Sequence, residues 1–513
     1  MDGLELIFIW IFTLLVIIGG SGFLIYSWSM RKFRYWKDRG IAYVEPEFPY
    51  GNTKGVSRDV RFSDILTSFY NRFSGREKFV GMYIFMRPIG VAIDPELVKK
   101  ILVKDFHNFQ DRGLYHNEKD DPLSGHLFTL EGEPWRVLRT KLSPTFTSGK
   151  IKMMSNIMVE VTSELKRIVD EQMHESCDMD INDTMARFTM DIIGNCAFGI
   201  ECNALKNPNE DLMLFGKRFF LPSRKQAIRQ LFFGIFPDLS RKLGIRAIEE
   251  EISSYFMRVI TETVRYREEN KIVRSDFMDL LLRLKNSGNL ETDGTVEKSG
   301  LITLNELAAQ CFVFFLAGFE TSSTTISFCL YELARNPNIQ EKLREEILRS
   351  LEETNGVLTY EVVMGMKYLE KVINETLRKY PAVEMLVRKA ANDYPIEGTP
   401  HTIPKDTLIF LPVYTVHHDP KIYPHPDKFD PERFSEGNVR NRHPYTYLPF
   451  GEGPRSCIGM RFGLLQTRIG IVTMLRNYKL TPCHKTPQEP LNFTPRSIVL
   501  KVKDSIWLKI EKL

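Results

Sequence analysis

An uncharged apolar segment near the N-terminus sets the first constraint on how this chain folds. Leu6 to Met30 contains 25 residues without a single charge. As a helix with a rise of about 1.5 Å per residue, the segment is long enough to cross a hydrocarbon core of about 30 Å with some tilt. We therefore predict a transmembrane signal anchor over residues 1–30.

A cleaved signal peptide is the alternative reading of this segment, with Gly19 to Gly22 as its small-residue cleavage site. Signal peptides begin with positive residues, whereas Asp2 and Glu5 precede this segment, and Phe23 to Tyr26 continue it beyond the glycines. Both features favour the anchor.

The net charge of the chain is concentrated directly after the apolar segment. The formal charge of the protein is +4, and Arg31 to Arg39 alone has five basic residues and one acidic residue. Because the basic excess is confined to one short stretch, a nucleic-acid-binding surface is disfavoured. Positive residues flank the cytosolic end of membrane helices, so we expect the rest of the chain to face the cytosol.

The next residues are predicted to form a basic, proline-containing linker over residues 31–52. Trp28, Tyr35 and Trp36 suit the aromatic belt that forms at membrane surfaces. Residues 53–513 are then expected to form the cytosolic catalytic domain.

Cysteine usage indicates a reducing compartment. The seven cysteines are odd in number, and the sequence contains neither a CxxC pair nor a Cys/His cluster with zinc spacing. We expect no disulfide framework and predict that six of the seven cysteines are small buried hydrophobic residues. Cys457 is the exception, because of the segment around it.

The pattern of apolar residues predicts a mainly helical protein with a smaller β-rich part. Phe79 to Ile93 is rich in β-branched and aromatic residues and predicts a strand pair. Apolar residues recur at helical spacing from Met153 to Ala204 and from Ala247 to Leu284. The polar, glycine-rich stretch Lys285 to Gly300 predicts a surface loop.

A long helix is predicted from Thr303 to Arg335. Thr303 with Glu306 three residues later is typical of an N-terminal cap, and Pro337 lies just beyond the end. Its middle is apolar on every face, which predicts burial. Gly318 in this middle costs about 1 kcal/mol relative to alanine, which indicates a packing or functional reason.

The segment around Cys457 combines a thiol, glycines and a cation. Cys457 precedes the apolar helical stretch Met460 to Leu475, and the free amides of a helix N-terminus lower the pKa of a thiol. Gly453 and Gly459 allow the backbone to approach a flat ligand, and Arg455 offers a forked cation to a carboxylate. These features are what ligation of haem by a thiolate needs.

This segment resembles the haem-binding signature of the cytochrome P-450 superfamily, Phe-x-x-Gly-x-Arg-x-Cys-x-Gly. All five fixed positions are present, as Phe450, Gly453, Arg455, Cys457 and Gly459. The resemblance implies haem b with the Cys457 thiolate as axial ligand. It also implies the P-450 fold, a single haem-thiolate domain that is mainly α with a smaller β-rich part. A buried structural cysteine in a turn is the alternative.

Further motifs of the superfamily appear in the same order along the chain. Glu375 and Arg378 lie three residues apart on one face of a predicted helix. By resemblance they form a buried charged network with Arg433, which lies in a Pro-Glu-Arg-Phe stretch. The network shapes the loop that leads to the cysteine.

Three residues match positions that contact the haem propionates in the superfamily. Trp135 and Arg139 are spaced like the indole and guanidinium of one such helix, and Arg388 follows the Tyr380-Pro381 pair. A core tryptophan and a surface arginine are the alternatives for the first two residues.

Ala317 to Thr321 resembles the oxygen-binding groove of the superfamily. There a local opening of the helix beside Gly318 admits O2 and water, and the acid and alcohol, here Glu320 and Thr321, deliver protons to oxygen. The alternative for Thr321 is a hydroxyl that is bonded back to its own helix.

The resemblance implies a microsomal monooxygenase on the endoplasmic reticulum membrane that inserts one atom of O2 into a lipophilic substrate. Electrons come from NADPH through NADPH cytochrome P-450 reductase, in some members with cytochrome b5. We expect Arg136, Lys141 and Arg461 to be part of a basic docking face.

Three stretches resemble the insect microsomal family-six branch in particular. They are Phe314 to Thr325, Gly194 to Cys202 and Asp276 to Leu281. That branch is associated with the oxidation of plant toxins and insecticides, so the resemblance implies a xenobiotic substrate.

Other functions stay open at this point. Oxidation of an endogenous hormone or lipid would use the same residues, whereas a haem-thiolate isomerase, which needs no O2, or a haem sensor or transporter would have no use for Glu320 and Thr321. An interaction protein without haem would leave the Cys457 signature unexplained.

Overall fold

The computed structural model describes residues 3–207, 210–287 and 301–513. Helices dominate the regular structure and strands form the smaller part, as the sequence predicts. The helices are α1 (Gly3–Lys32), α2 (Phe62–Phe73), α3 (Pro95–Lys99), α4 (Gly132–Leu142), α5 (Ser148–Glu175), α6 (Ile181–Ile193), α7 (Asp211–Phe220), α8 (Arg224–Ile235), α9 (Pro237–Lys242), α10 (Glu250–Glu269), α11 (Phe277–Ser287), α12 (Leu304–Arg335), α13 (Pro337–Glu352), α14 (Tyr360–Gly365), α15 (Lys367–Lys379), α16 (Val413–His417), α17 (Glu436–Arg440) and α18 (Met460–Asn477).

The strands form two larger sheets and one short pair. They are β1 (Phe79–Ile84), β2 (Arg87–Ala92), β3 (Asp178–Asp180), β4 (Leu386–Lys389), β5 (Tyr394–Pro395), β6 (Thr402–Ile403), β7 (Leu408–Leu411), β8 (Tyr478–Pro482) and β9 (Trp507–Lys512). The strand orders are β1-β2-β7-β4, β3-β9-β8 and β5-β6.

The chain divides into two compact units. The first contains Met1–Phe109 and Val387–Pro412, and the second contains Gln110–Leu386 and Val413–Leu513. The predicted division into an anchor, a linker and a catalytic domain stays a prediction.

The first unit contains α1 and the four-stranded sheet. The apolar part of α1 has a mean hydropathy of 2.4 and is not buried, which fits a membrane anchor. Trp36 is fully buried, and its indole Nε1 donates to the Met82 carbonyl at 3.1 Å. The placement of Trp36 in an aromatic belt was therefore wrong, because this indole packs against β1. Trp28 is 48% exposed and remains compatible with a belt.

The second unit is built around α12. This helix is also long and apolar enough to cross a membrane, but 72% of its apolar window is buried inside the protein, so it is a core helix. Thr303 and Glu306 form the predicted capping box at its start. A Cβ on Gly318 would lie 2.6 Å from Ile193 Cδ1, so glycine at this position permits the close approach of α12 and α6.

Most of the local predictions are confirmed. The strand pair β1 and β2 is antiparallel, and the two predicted helical regions contain α5, α6, α10 and α11. The short strand β3, between α5 and α6, was missed. Lys285 to Ser287 belong to α11 rather than to a loop, and the rest of the predicted loop, 288–300, lies outside the described residues.

All seven cysteines are free thiols, so the expectation of no disulfides is confirmed. Four of the six cysteines predicted to be buried are indeed buried, namely Cys196, Cys202, Cys311 and Cys329. The prediction was wrong for Cys177, which is exposed, and for Cys483, which is half-buried. Both lie beside short strands of the β3-β9-β8 sheet, where the chain is close to solvent.

Candidate active site

Cys457 lies in a tight loop directly before α18. Its backbone N–H donates to the Phe450 carbonyl at 2.9 Å, and that of Ser456 donates to the Gly453 carbonyl at 2.9 Å. Gly453 has a φ of 73°, in the left-handed region that favours glycine. Gly453 therefore lets the loop fold back on itself, and the cysteine lies at the start of the helix.

Cys457 is an exposed residue, yet the surrounding protein raises the pKa of its thiol through burial. The pKa of the thiol is lowered in turn by the backbone N–H of Gly459 and by the cations Arg139 and Arg112. The predicted lowering of the thiol pKa was thus wrong in its net sign, because desolvation outweighs the amide at the helix start. A metal bound to this sulfur would displace the proton outright.

Arg455 is almost fully buried and stacks on the Trp135 ring, with its guanidinium carbon 3.8 Å from the ring centroid. Its Nε donates to the Gln110 carbonyl at 2.7 Å, and its Nη2 donates to the Leu130 carbonyl at 2.8 Å. Arg455 therefore ties the cysteine loop to the segment before α4. Its predicted contact with a propionate stays a prediction.

Arg139 lies on α4, one turn after Trp135. It is half-buried, burial lowers its pKa, and Cys457 is the charged neighbour that raises it. Within residues 3–207, 210–287 and 301–513, the Arg139 guanidinium has no carboxylate partner. A cation in this position is suited to an anionic group of a bound ligand.

Arg388 belongs to the first unit. It is more deeply buried than Arg139, and burial lowers its pKa as well. It is 1% exposed, and burial lowers its pKa to about 10. Its Nη1 donates to the Val387 carbonyl at 2.8 Å, while its buried Nε has no hydrogen-bond partner among the residues that the structure describes. A buried guanidinium with an orphaned donor fits a carboxylate that the protein itself does not supply.

The face of α12 around Thr321 is accessible, although the helix is mostly buried. Val313, Ala317 and Thr321 recur every four residues, and all three are half-buried or exposed. This face of α12 is therefore accessible along one stripe. Thr321 Oγ1 donates to the Ala317 carbonyl at 2.6 Å, and α12 is continuous through this region. The helix thus shows no local opening between Ala317 and Thr321, where the resemblance implied one.

Glu320 points to a different neighbour. It is 3% exposed, and its Oε1 accepts from Lys501 Nζ at 2.9 Å. Lys501 is itself 27% exposed, so the ion pair connects a buried carboxylate of α12 to solvent. Sequence reasoning missed Lys501 because it lies far along the chain, outside any motif.

The helix that follows Cys457 packs against α12 next to these residues. Gln466 Nε2 of α18 donates to the Gly318 carbonyl at 3.2 Å. A Cβ on Gly463 would lie 3.7 Å from Ser322 Oγ. The Cys457 loop is thus attached to the same stretch of α12 that carries Gly318, Glu320 and Thr321.

Glu375, Arg378 and Arg433 come together as the resemblance implied. Arg378 and Glu375 are fully buried, and Arg378 donates to both carboxylate oxygens, at 2.8 and 2.9 Å. Arg433 Nε lies 3.3 Å from Glu375 Oε1. Arg378 also donates to the carbonyls of His417 and Pro426, so the network holds several chain segments together.

His417 links this network to the cysteine loop and was not identified from the sequence. The Leu448 N–H donates to His417 Nε2 at 3.0 Å, so Nδ1 carries the proton that is shared with the Arg378 carbonyl at 3.2 Å. Burial holds the pKa of this imidazole well below its usual range, which keeps it neutral. Leu448 lies just before Phe450, where the loop begins.

Arg112 is a third residue that sequence reasoning missed, after Lys501 and His417. Its Nη2 donates to the Arg455 carbonyl at 3.1 Å, and its charge lowers the Cys457 pKa. It lies in a loop without a recognisable motif, so its role depends on the fold.

These residues fit a haem group. The structure provides an exposed cysteine just before α18, an accessible stripe on α12 and, in the same unit, the half-buried cation Arg139, which has no carboxylate partner within the described ranges. A thiolate is a recognised axial ligand of haem iron, and arginine suits the propionates.

Comparison with known proteins agrees with this site. The chain matches the cytochrome P450 family over residues 46–508. It is 45% identical to cytochrome P450 6A1 of Musca domestica over 485 residues, 94% of each chain. Cytochrome P450 6a8 of Drosophila melanogaster is also 45% identical, over 94% of this chain and 95% of its own length. Cytochrome P450 6a2 of the same species is 43% identical over 99% and 100%, respectively. The chain therefore belongs to the cytochrome P450 family and is a monooxygenase of the insect family-six type.

Proposed function

We propose that this protein is a membrane-anchored haem-thiolate monooxygenase that oxidises lipophilic xenobiotics with electrons from NADPH. The observation that carries the proposal is the position of Cys457 just before α18, where the charge of Arg139 acts to lower the pKa of the thiol. The family implies haem with a cysteine thiolate ligand and O2 as the oxidant.

In the mechanism, the protein holds the cofactor and supplies protons. Cys457 Sγ would bind the iron, while Trp135, Arg139 and Arg388 would hold the propionates. Haem supplies the binding and activation of O2 when it is bound. The cysteine loop begins at Phe450 and ends at Gly459, and it keeps the sulfur at the helix start.

Proton delivery would be the task of Glu320 and Thr321. The O2 chemistry that a bound haem would supply consumes protons, which the protein has to deliver. The Glu320 carboxylate can take a proton from the solvent side through Lys501, because the two lie 2.9 Å apart. For delivery, the Thr321 hydroxyl has to leave the Ala317 carbonyl, to which it now donates.

Electrons would arrive from NADPH cytochrome P-450 reductase, in part through cytochrome b5, at a basic face near Cys457. Arg136 and Arg461 are exposed and Lys141 is half-buried. Arg136 lies on α4, and Arg461 lies in the first turn of α18. Their positions on the two helices that flank the cysteine loop support this assignment.

The proposed location is the endoplasmic reticulum membrane, with α1 as a single-pass anchor and the catalytic part in the cytosol. The apolar helix and the basic residues at its end, Arg31 and Lys32, support this topology. The lipid bilayer is then also the source of lipophilic substrates. No role in nucleic-acid binding is proposed.

A difference spectrum of the dithionite-reduced protein with and without carbon monoxide tests the proposal. A Soret band near about 450 nm is expected for a thiolate ligand. A band near about 420 nm in a freshly prepared, folded sample would rule out the Cys457 assignment. Consumption of NADPH with purified reductase then separates an enzyme from a haem sensor, and dependence on O2 separates a monooxygenase from an isomerase.

Charge reversal tests the docking face. Arg136→Glu and Arg461→Glu should slow reductase-driven turnover and leave the carbon monoxide spectrum intact. Arg440→Glu on α17, whose side chain is 80% exposed, is the matched control. Equal rates in all three variants would contradict the docking face but not the monooxygenase assignment.

Turnover of plant toxins compared with hormone-like lipids decides between the xenobiotic and endogenous alternatives.

A further inference from the structure

The β3-β9-β8 sheet brings together three potential metal ligands that are far apart in the sequence. The ligand atoms of Asp178, Cys483 and His484 all lie within 4.8 Å of one another. Asp178 is the first residue of β3, and the other two directly follow β8. No zinc-like spacing is visible in the sequence because one ligand comes from a distant strand.

The backbone of this cluster is held by regular strand pairing. β9 is the central strand, and its neighbouring residues Leu508 and Lys509 pair with Pro482 and Asp178, respectively. The aspartate and the end of β8 are therefore fixed on opposite sides of the same short stretch of β9. A site built on strands needs little rearrangement to accept an ion.

The turn that carries Cys483 and His484 is also fixed. The Cys483 N–H donates to Thr486 Oγ1 at 2.8 Å, and the Thr486 N–H donates to the Cys483 carbonyl at 3.1 Å. Thr486 Oγ1 in turn donates to the Trp507 carbonyl at 2.6 Å. These bonds attach the turn to β9. Thr486 Oγ1 also lies 3.6 Å from Cys483 Sγ, a weak contact that leaves the sulfur able to bind a metal.

The charges around the cluster are mixed, with one carboxylate, one imidazole and a nearby lysine. His484 Nδ1 lies 3.4 Å from Asp178 Oδ2, and Lys485 Nζ lies 4.0 Å from the same oxygen. Lys485 competes for the carboxylate, but its ammonium also lies 4.6 Å from the centroid of the Trp507 ring. A cation–π contact can therefore hold the lysine while the carboxylate binds an ion.

We propose that Asp178, Cys483 and His484 bind one zinc ion, apart from the haem chemistry. A thiolate, an imidazole nitrogen and a carboxylate oxygen are the ligands that Zn²⁺ prefers, and three protein ligands leave a fourth position for water. On binding, the Cys483 thiol loses its proton to solvent and the sulfur–zinc bond forms, without transfer of electrons.

Zinc would connect the end of β8 to the start of β3 across β9, which lies near the C-terminus of the chain. His484 is 75% exposed, so the ion can exchange with solvent. The site thus makes the stability of this sheet depend on free zinc, because a ligand that binds the folded state stabilises it. Release of the thiol proton also makes zinc binding weaker as the pH falls.

Equilibrium dialysis of the full-length haem protein against buffered zinc, with bound metal measured by mass spectrometry, tests the proposal. We expect one zinc per chain in the unchanged protein and an affinity at least roughly tenfold weaker in Cys483→Ser, His484→Gln and Asp178→Asn. Cys177→Ser is the matched control, because Cys177 is an exposed thiol next to Asp178 that is not part of the cluster. All variants should keep the same carbon monoxide spectrum.

Alkylation of the unchanged protein provides a measurement that needs no variant. Zinc should slow the modification of Cys483 at least roughly tenfold and leave that of Cys177 unaffected. Zinc that binds Cys483→Ser as tightly as the unchanged protein, or that is lost from Cys177→Ser, would overturn the proposal. Binding that none of the variants changes would identify an adventitious ion only.

Discussion

Arg378 and Arg139 lie in the same unit but in contrasting surroundings. Arg378 is fully buried, and its guanidinium donates to Glu375 and to two backbone carbonyls. Arg139 is half-buried, its pKa is lowered by burial, and no carboxylate within the described ranges pairs with it. The first arginine has its anion within the protein and the second does not.

The difference distinguishes a structural cation from one that is suited to a ligand. Removing a cation from water is costly unless an anion compensates for the lost hydration. Glu375 provides this compensation for Arg378, whereas no carboxylate in the described part of the chain does so for Arg139, or for Arg388 in the first unit. Both unpaired arginines occupy positions that match propionate contacts in the superfamily. The burial of each cation, together with the absence of a carboxylate partner within the described ranges, is therefore the basis for our proposal that both arginines bind a ligand.

Removal of Arg378 should have the largest effect on stability. Arg378→Ala leaves the Glu375 carboxylate buried without its main partner, which costs about 3–5 kcal/mol of folding free energy. Denaturant unfolding and the yield of the 450 nm form measure this loss. Arg440→Ala, which breaks an exposed pair with Glu436, should cost less than about 0.5 kcal/mol. Similar losses in both variants would mean that the buried pair is not structural.

Removal of the unpaired arginines should affect haem instead of folding. Arg139→Gln and Arg388→Gln each lose a charged hydrogen bond worth about 1.5–3 kcal/mol, which corresponds to roughly 10- to 150-fold weaker haem binding. Transfer of haem to an excess of a haem-free acceptor protein measures the affinity. Arg136→Gln is the control, because Arg136 lies on the same helix as Arg139 but is exposed and lies 3.6 Å from Glu133. If Arg136→Gln lost haem as fast as Arg139→Gln and Arg388→Gln, the distinction between structural and ligand-binding arginines would be contradicted.

The ion pair of Lys501 with Glu320 is a third case, since the cation has a carboxylate that is also proposed to act in proton delivery. Lys501→Met should reduce the fraction of NADPH electrons recovered in product by about tenfold, or 1.4 kcal/mol. Lys501→Arg should restore most of it. Lys503→Met, two residues later on the exposed side of the same segment, should behave like the unchanged enzyme. An unchanged electron yield in Lys501→Met would remove Lys501 from the proton route.

The sequence was sufficient for features that depend on local pattern. The capping box of Thr303 and Glu306, the β1-β2 pair and the helix after Cys457 are all where the apolar spacing and end signals predicted them. Each needs information from about ten to thirty neighbouring residues. The matching of superfamily motifs then identified Glu375, Arg378 and Arg433 as a network.

Features that depend on distant contacts could not be predicted in this way. Strand β3 is three residues long and exists because β9, near the C-terminus, pairs with it. Trp36 has the composition of an interfacial residue, and its burial follows only from its contact with β1. His417 and Arg112 act through backbone atoms of remote segments, for which no side-chain motif exists.

The sign predicted for the Cys457 pKa shift was also wrong because the shift depends on distant contacts. These contacts lead to the prediction with the smallest expected effect. Burial raises the thiol pKa, and Arg139 acts against that rise. Removal of this positive charge should raise the pKa further, so the sulfur takes up a proton at a higher pH. In Arg139→Gln the carbon monoxide band should therefore convert from about 450 to about 420 nm on acidification at a pH up to about one unit higher than in the unchanged protein. Arg136→Gln should leave the midpoint unchanged, because Arg136 is not among the charges that act on Cys457. A common midpoint for all three proteins would show that Arg139 does not influence the sulfur, and the comparison with Arg378 would then depend on haem affinity alone.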